Sequence, residues 1–349
     1  MSIEVTGHAQ REAWASKVLP PVEEVRPGLW SIPVPIPDNP LRYLLAYAFV
    51  TPDGVALIDT GWLADDAWDA LVSGLQVAGH DVGDVTHVAI THLHPDHFGL
   101  VPRLLEKADP QLIIHRNDAK HLRYFTDEET AAMDAEDTLE LERLGMPINV
   151  PDITGLPTFV RLPKGRRADV ELEHDAALDI PGWNLRAVWT PGHTQGHLCF
   201  VDDDAGVIVT GDHLLPRISP NVSTGPFGRH SPLTEYLVSL ANTERIGDLE
   251  ALPAHEYRFR GLAGRVTDLL GHHEERLSEI AEAIDAHPQS TAWEISQRVH
   301  WSRPFSELSP LLSMMALRET HAHLIVLRER GLVTETSGTP ALWSPAASR

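Results

Sequence analysis

Residues 91–100 read THLHPDHFGL and follow the apolar run VTHVAI. His92, His94, Asp96 and His97 therefore fall within six residues, at the end of a stretch patterned as a buried strand. Polar side chains packed there are costly unless something satisfies them. Along an extended loop His92 and His94 point to one side, because side-chain direction alternates. Asp96 and His97 are adjacent and reach a second point as the chain turns into a helix. Four candidate ligands are too many for one catalytic ion, which typically keeps about three protein ligands and a water. A pair of metal ions accounts for the surplus.

Three further segments end apolar strands with the same kind of residue. TPGHTQGH puts His193 in a Pro-Gly turn after LRAVW, VIVTGDHLL puts Asp212 after Gly211, and LEALPAHEY ends on His255. Strand-end loops are where active sites are usually built. On this reading His92, His94 and His193 hold one ion, Asp96, His97 and His255 hold a second, and Asp212 bridges both. Asp96 and Asp212 are the catalytic carboxylates of such a centre. Two divalent ions ~3.5–4 Å apart would hold a bridging water and draw its pKa towards neutrality, giving hydroxide for attack on a carbonyl. Zinc is the expected metal, and iron or manganese suit the same ligands. A serine nucleophile in a G-x-S-x-G setting is absent, as this chemistry allows.

These motifs resemble those of the metallo-β-lactamase superfamily, and within it the branch of glyoxalase II and related thioester, ester and lactone hydrolases. THLHPDHFGL is similar to the family's T-H-x-H-x-D-H-x-G, TPGHTQGH to its third motif, TGDHLL to its fourth and PAHE to its last histidine. VALIDTGW is similar to the strand that precedes them. The resemblance covers about residues 28–260, with Leu100 standing where many relatives have a second glycine. It implies an α/β fold, a four-layer αββα sandwich with the dinuclear site along one edge of the sheets. It also implies a metal-dependent hydrolase of a small acyl substrate, a thioester first and a lactone or ester second. Asp59 would orient a ligand histidine, which commonly donates its other N–H to a carboxylate. The rival activities on this scaffold are a phosphodiesterase or nuclease, and a mononuclear-iron persulfide dioxygenase.

Around the motifs, residues 1–27 read as a loosely organised lead-in. The segment LWSIPVPIPDNP, with prolines at alternate positions, reads as an edge strand or extended segment rather than a central strand. Residues 28–261 form the main domain, interrupted over about 117–165 by a charged, helical insertion expected to cap the metal edge. From 262 to 349 the order helix, short helix, longer helix, hairpin resembles a winged-helix domain. Arg217 and Asn221, shortly after Asp212, are candidate substrate contacts, as are His121 and Tyr124 in the insertion. His197 and Cys199 read as structural.

Composition narrows the partners. Of 349 residues, 28 are basic and 50 acidic, a net charge of −22 that repels phosphate backbones. No nucleic-acid or membrane partner is expected, and a homodimer is allowed for. The single cysteine suits a reducing cytoplasm, and the charged N-terminus lacks the apolar core of a signal peptide.

Overall fold

The alternation in YLLAYAFVT sets the architecture. In the computed structural model, which describes residues 3–122, 125–147, 162–225 and 231–347, this segment is a strand buried on both faces. Tyr43, Leu45, Tyr47 and Phe49 enter one apolar core, while Leu44, Ala46 and Ala48 enter another. Such a strand requires a layer on each side.

The chain divides into two compact units, residues 1–124, 157–220 and 239–267 in one, and 125–156, 221–238 and 268–349 in the other. The strands of the first are β1 (Glu4–Val5), β2 (Glu23–Arg26), β3 (Leu29–Pro35), β4 (Tyr43–Thr51), β5 (Gly54–Ile58), β6 (Val85–Ala89) and β7 (Gln111–His115). They continue with β8 (Val170–Leu172), β9 (Leu185–Trp189), β10 (Leu198–Asp202), β11 (Val207–Gly211), β12 (Glu250–Pro253) and β13 (Phe259–Arg260). Strands β2 to β8 form a seven-stranded sheet in sequential order, and a six-stranded sheet runs β1-β13-β12-β11-β10-β9. Leu198, Phe200, Val207 and Val209 share the core of Tyr43, Leu45, Tyr47 and Phe49, so the two sheets pack face to face.

The lead-in is built into both sheets, which corrects the expectation of a loose segment. β1 pairs with β13 and β2 with β3, joined through helix α1 (His8–Ser16). Its polar composition concealed this, because Gln10 is buried and bonded to Ser31 (3.1 Å) and to the Arg258 N–H (2.9 Å). β3 is also more than an edge strand. Leu29 to Ser31 lie between β2 and β4, whereas Pro33 and Pro35 pair with β4 alone, beyond the end of β2. The prolines occupy the half of the strand where a missing N–H costs no ladder bond.

Helix α2 (Asp65–Val77) opens with Asp65 and Asp66, whose charge suits a helix N-terminus. It packs Trp68, Leu71 and Leu75 on the outer face of the seven-stranded sheet. After β6 the chain forms the single turn α3 (Pro95–Phe98), then α4 (Val101–Lys107), which adds Val101 and Leu104 to the same core. Helix α5 (Arg116–Ala119) follows β7 directly.

In the second unit, α6 (Asp127–Arg143) starts at a capping box between Thr126 and Glu129. The division between units falls within α7 (Pro232–Thr243) and α8 (Leu262–Ala286). Then come α9 (Ala292–Ser296), α10 (Pro310–Glu329) and the hairpin of β14 (Val333–Glu335) and β15 (Trp343–Pro345), in the order read from the sequence. The insertion helix α6 belongs to this unit. Its Asp137 pairs with Arg318 of α10 (2.5 Å), and its Arg143 pairs with Glu335 of β14.

Candidate metal centre

Parallel strands bring the polar loops together. β5, β6 and β7 run parallel in one sheet. In the other, β11 is parallel to β12 and antiparallel to β10, which is antiparallel to β9. Asp59, the 91–97 loop, His193, Asp212 and His255 all follow the carboxyl ends of these strands, where open α/β sheets place ligands.

The seven expected ligands converge. His92, His94 and His193 offer nitrogen atoms within 4.8 Å of one another, as do the donor atoms of Asp96, His97 and His255. In the first group His92 Nε2 is 2.9 Å from His94 Nδ1 and 3.1 Å from His193 Nε2. In the second, His255 Nε2 is 3.4 Å and His97 Nε2 3.8 Å from Asp96 Oδ2. Asp212 faces both groups. Its Oδ2 lies 3.4 Å from His193 Nε2, and its Oδ1 lies 3.3 Å from His255 Nε2 and 3.5 Å from His97 Nε2.

Charge separates the two groups. Burial pushes His94 down to about 3 and His92 well below the usual histidine range, with neighbouring imidazoles adding to the effect, which favours the neutral form that a metal ligand needs. Burial opposes protonation of His97 and His255 as well. There the carboxylates win, Asp59, Asp96 and Asp212 raising His97, and Asp212 and Asp96 raising His255. Burial would raise Asp96, but His97 and His255 hold it below the usual carboxylate range.

Three buried atoms here, His97 Nε2, Asp212 Oδ1 and His255 Nε2, have only long ion-pair contacts and no hydrogen bond of good geometry. Orphaned polar atoms of this kind are costly and rare. A cation among them satisfies all three, so the residues present fit a metal.

The candidate ligands are oriented from behind. His97 Nδ1–H donates to Asp59 Oδ2 (2.7 Å), leaving Nε2 aimed into the cluster. Asp59 also accepts from the N–H (2.8 Å) and hydroxyl (2.8 Å) of Thr91, which fixes the start of the histidine loop. His255 Nδ1–H donates to the Tyr43 carbonyl (2.8 Å). His197 accepts from the Asp212 N–H (3.1 Å) and contacts Thr190 Oγ1 (2.8 Å), holding the Asp212 loop rather than joining the ligand groups. Gly211, at φ +49°, lies where a Cβ would come 2.8 Å from His197 Nε2 and 2.9 Å from Thr91 Cβ, so only glycine lets the strand end approach this closely.

Three of the remaining candidates have partners of their own. Arg217 is occupied by buried Glu256, which accepts from its backbone N–H (3.1 Å) and pairs with its Nε (3.1 Å). Asn221 belongs to the second unit and donates to Glu319 (3.1 Å). His121 donates its backbone N–H to Asp118 (2.9 Å), and Tyr124 lies outside the described residues. Asp118 itself was missed. Burial raises it to about 6, against hydrogen bonds from Thr194, Leu93 and Gly196. The signal was available, an acid just past the apolar strand QLIIH, as at Asp59 and Asp212.

Comparison with known proteins agrees with this geometry. Residues 41–255 match the model of the metallo-beta-lactamase superfamily. A metallo-beta-lactamase family protein of Thermus thermophilus superposes with a TM-score of 0.79 at 30% identity, over 92% of this chain and 100% of that one. The probable metallo-hydrolase YqjP of Bacillus subtilis is 23% identical across 82% of this chain and 88% of its own length. The atrochrysone carboxyl ACP thioesterase dmxR1 of Cryptosporiopsis sp. is 24% identical across 76% of this chain and 67% of its own. A family match over most of the sandwich, with the sandwich itself and its ring of histidines and aspartates, makes the chain a member of the metallo-beta-lactamase superfamily.

Proposed function

We propose that the protein is a metal-dependent hydrolase of small acyl substrates, a thioester first and a lactone or ester second, from the glyoxalase II-like branch. His92, His94 and His193 would hold one divalent ion and Asp96, His97 and His255 another, zinc being the first choice. The carrying observation is the Asp212 carboxylate, whose two oxygens face the two ligand groups (3.4 Å to His193 and 3.3 Å to His255). Bound ions of this kind polarise a carbonyl and lower the pKa of a coordinated water. The chain's own share is to keep the ligand atoms aimed. Asp59 and the Tyr43 carbonyl hold His97 and His255 by Nδ1, and His197 holds the Asp212 backbone. The thioester preference is supported by the relative named as an ACP thioesterase.

The second unit is read as winged-helix-like and architectural, and the protein as cytoplasmic. Among the described residues no helix is long and apolar enough to cross a membrane. The test is metal analysis of the purified protein followed by a panel of thioesters, lactones, phosphodiesters and persulfides. Two ions per chain and turnover of a thioester or lactone are expected. Activity confined to phosphodiesters or persulfides would sink the substrate class. Full activity with one ion would remove the role given to Asp96, His97 and His255.

A further inference from the structure

One carboxylate stands behind both loops that carry the first ligand group. Asp118 of α5 is 3% exposed and accepts three hydrogen bonds, from the Leu93 N–H (3.0 Å), the Thr194 hydroxyl (2.9 Å) and the Gly196 N–H (2.7 Å). Leu93 is the residue between His92 and His94, and Thr194 follows His193. The two loops are 101 residues apart in sequence and meet at His92 and His193. A single buried anion thus gathers donors from both, and charge-assisted bonds of this type are the stronger ones.

The fit is close. A Cβ on Gly196 would come 2.4 Å from Asp118 Oδ1 and 2.6 Å from its backbone nitrogen, so the loop can rest on the carboxylate only because it has no side chain there. The flanking residues serve the same loop. Asn117 Nδ2–H and Trp189 Nε1–H both donate to the Gln195 carbonyl, at 3.4 and 2.8 Å. The Asp96–His97–His255 group is oriented elsewhere, by Asp59 and the Tyr43 carbonyl.

We propose that Asp118 is the positioning residue of the His92–His94–His193 group, setting affinity for the ion held there, while the direct bond of Asp59 is to His97 of the other group. The proposal rests on the two-ion reading above. It changes how the insertion is bounded, since a cut at 117 separates this brace from the loops it holds.

The test is zinc affinity of the full chain, stripped and retitrated against a chromophoric chelator, for wild type, Asp118→Asn and Thr194→Val. Unfolding temperatures of the metal-free forms are measured in parallel. Asn keeps the size of Asp118 but loses its charge and turns an N–H₂ towards N–H and O–H donors. Asp118→Asn should weaken one of the two zinc affinities by about 10–100-fold, the usual cost of losing a group that orients ligands. Thr194→Val should weaken the same affinity by less, with the other affinity unchanged in both variants. Should Asp118→Asn fail to fold, Thr194→Val, which removes one bond of the three, decides the matter alone. Variants that bind both ions as wild type does would overturn the proposal and leave the two-ion reading standing. Equal weakening of both ions with a lowered unfolding temperature would also overturn it, in favour of a general structural role. A wild type that binds fewer than two ions would instead fail the two-ion reading, and this proposal with it.

Discussion

At the scale of single residues, the site depends on where protons and lone pairs point. Asp59 accepts hydrogen bonds from the Nδ1–H of His97 and from both donors of Thr91, so its replacement disturbs a candidate ligand and a loop together. Asp59→Asn should lower kcat/KM about 10–100-fold with little change in unfolding temperature, since Asn can satisfy some of those donors but not all. Steady-state kinetics beside calorimetry check this. If two ions are held as proposed, Asp212→Ala should reduce the occupancy of both in metal analysis, because its two oxygens face both groups; loss of one ion alone would count against the bridge. Every ligand candidate was legible in the sequence, because each is a polar residue at the end of an apolar run. The residues behind them were less so. The Tyr43 carbonyl that orients His255 has no side-chain signature, and Asp118 resembles an ordinary turn aspartate until its three donors are seen.

At the scale of elements, periodicity predicts the strands and the main helices well, and fails where polar atoms do the packing. The lead-in was invisible for that reason, since Gln10 fills a core position with both ends of its amide bonded. Helix α10 presents the same feature with an energetic consequence. Burial raises its Glu319 from the ordinary 4.5 to about 7, against the opposing effects of Arg276 and the Asn221 bond. Its folded pKa exceeds its unfolded one, so between these values the folded state holds a proton that the unfolded chain has released. Stability from this group therefore falls as pH rises from 4.5 to about 7, by up to about 3 kcal/mol. Urea unfolding of wild type and Glu319→Gln at pH ~5 and ~8 should show the variant gaining on wild type at the higher pH. A difference independent of pH would refute the assignment.

For the whole molecule, net charge and local pairing point the same way about nucleic acid. The chain carries −22, and on α10 and just after it Arg318, Arg328 and Arg330 are engaged by Asp137, Glu335 and Glu274. Duplex DNA at physiological salt should bind no tighter than the non-specific range of ~10⁻⁴–10⁻⁶ M, measured by fluorescence anisotropy. Tight, sequence-dependent binding would make the second unit a reader of DNA. The pairing of β1 with β13, Glu4 opposite Arg260, bears on how the protein is made. Strand β1 must wait for β13, the last strand of its sheet in chain order, and His255 emerges only just before that partner. Non-local pairing of this kind is slow to reward the chain. The nascent protein therefore carries an unclosed sheet edge and an incomplete set of ligands over the same interval, and chains halted short of residue 260 should be both open to proteases and unable to retain a full complement of metal.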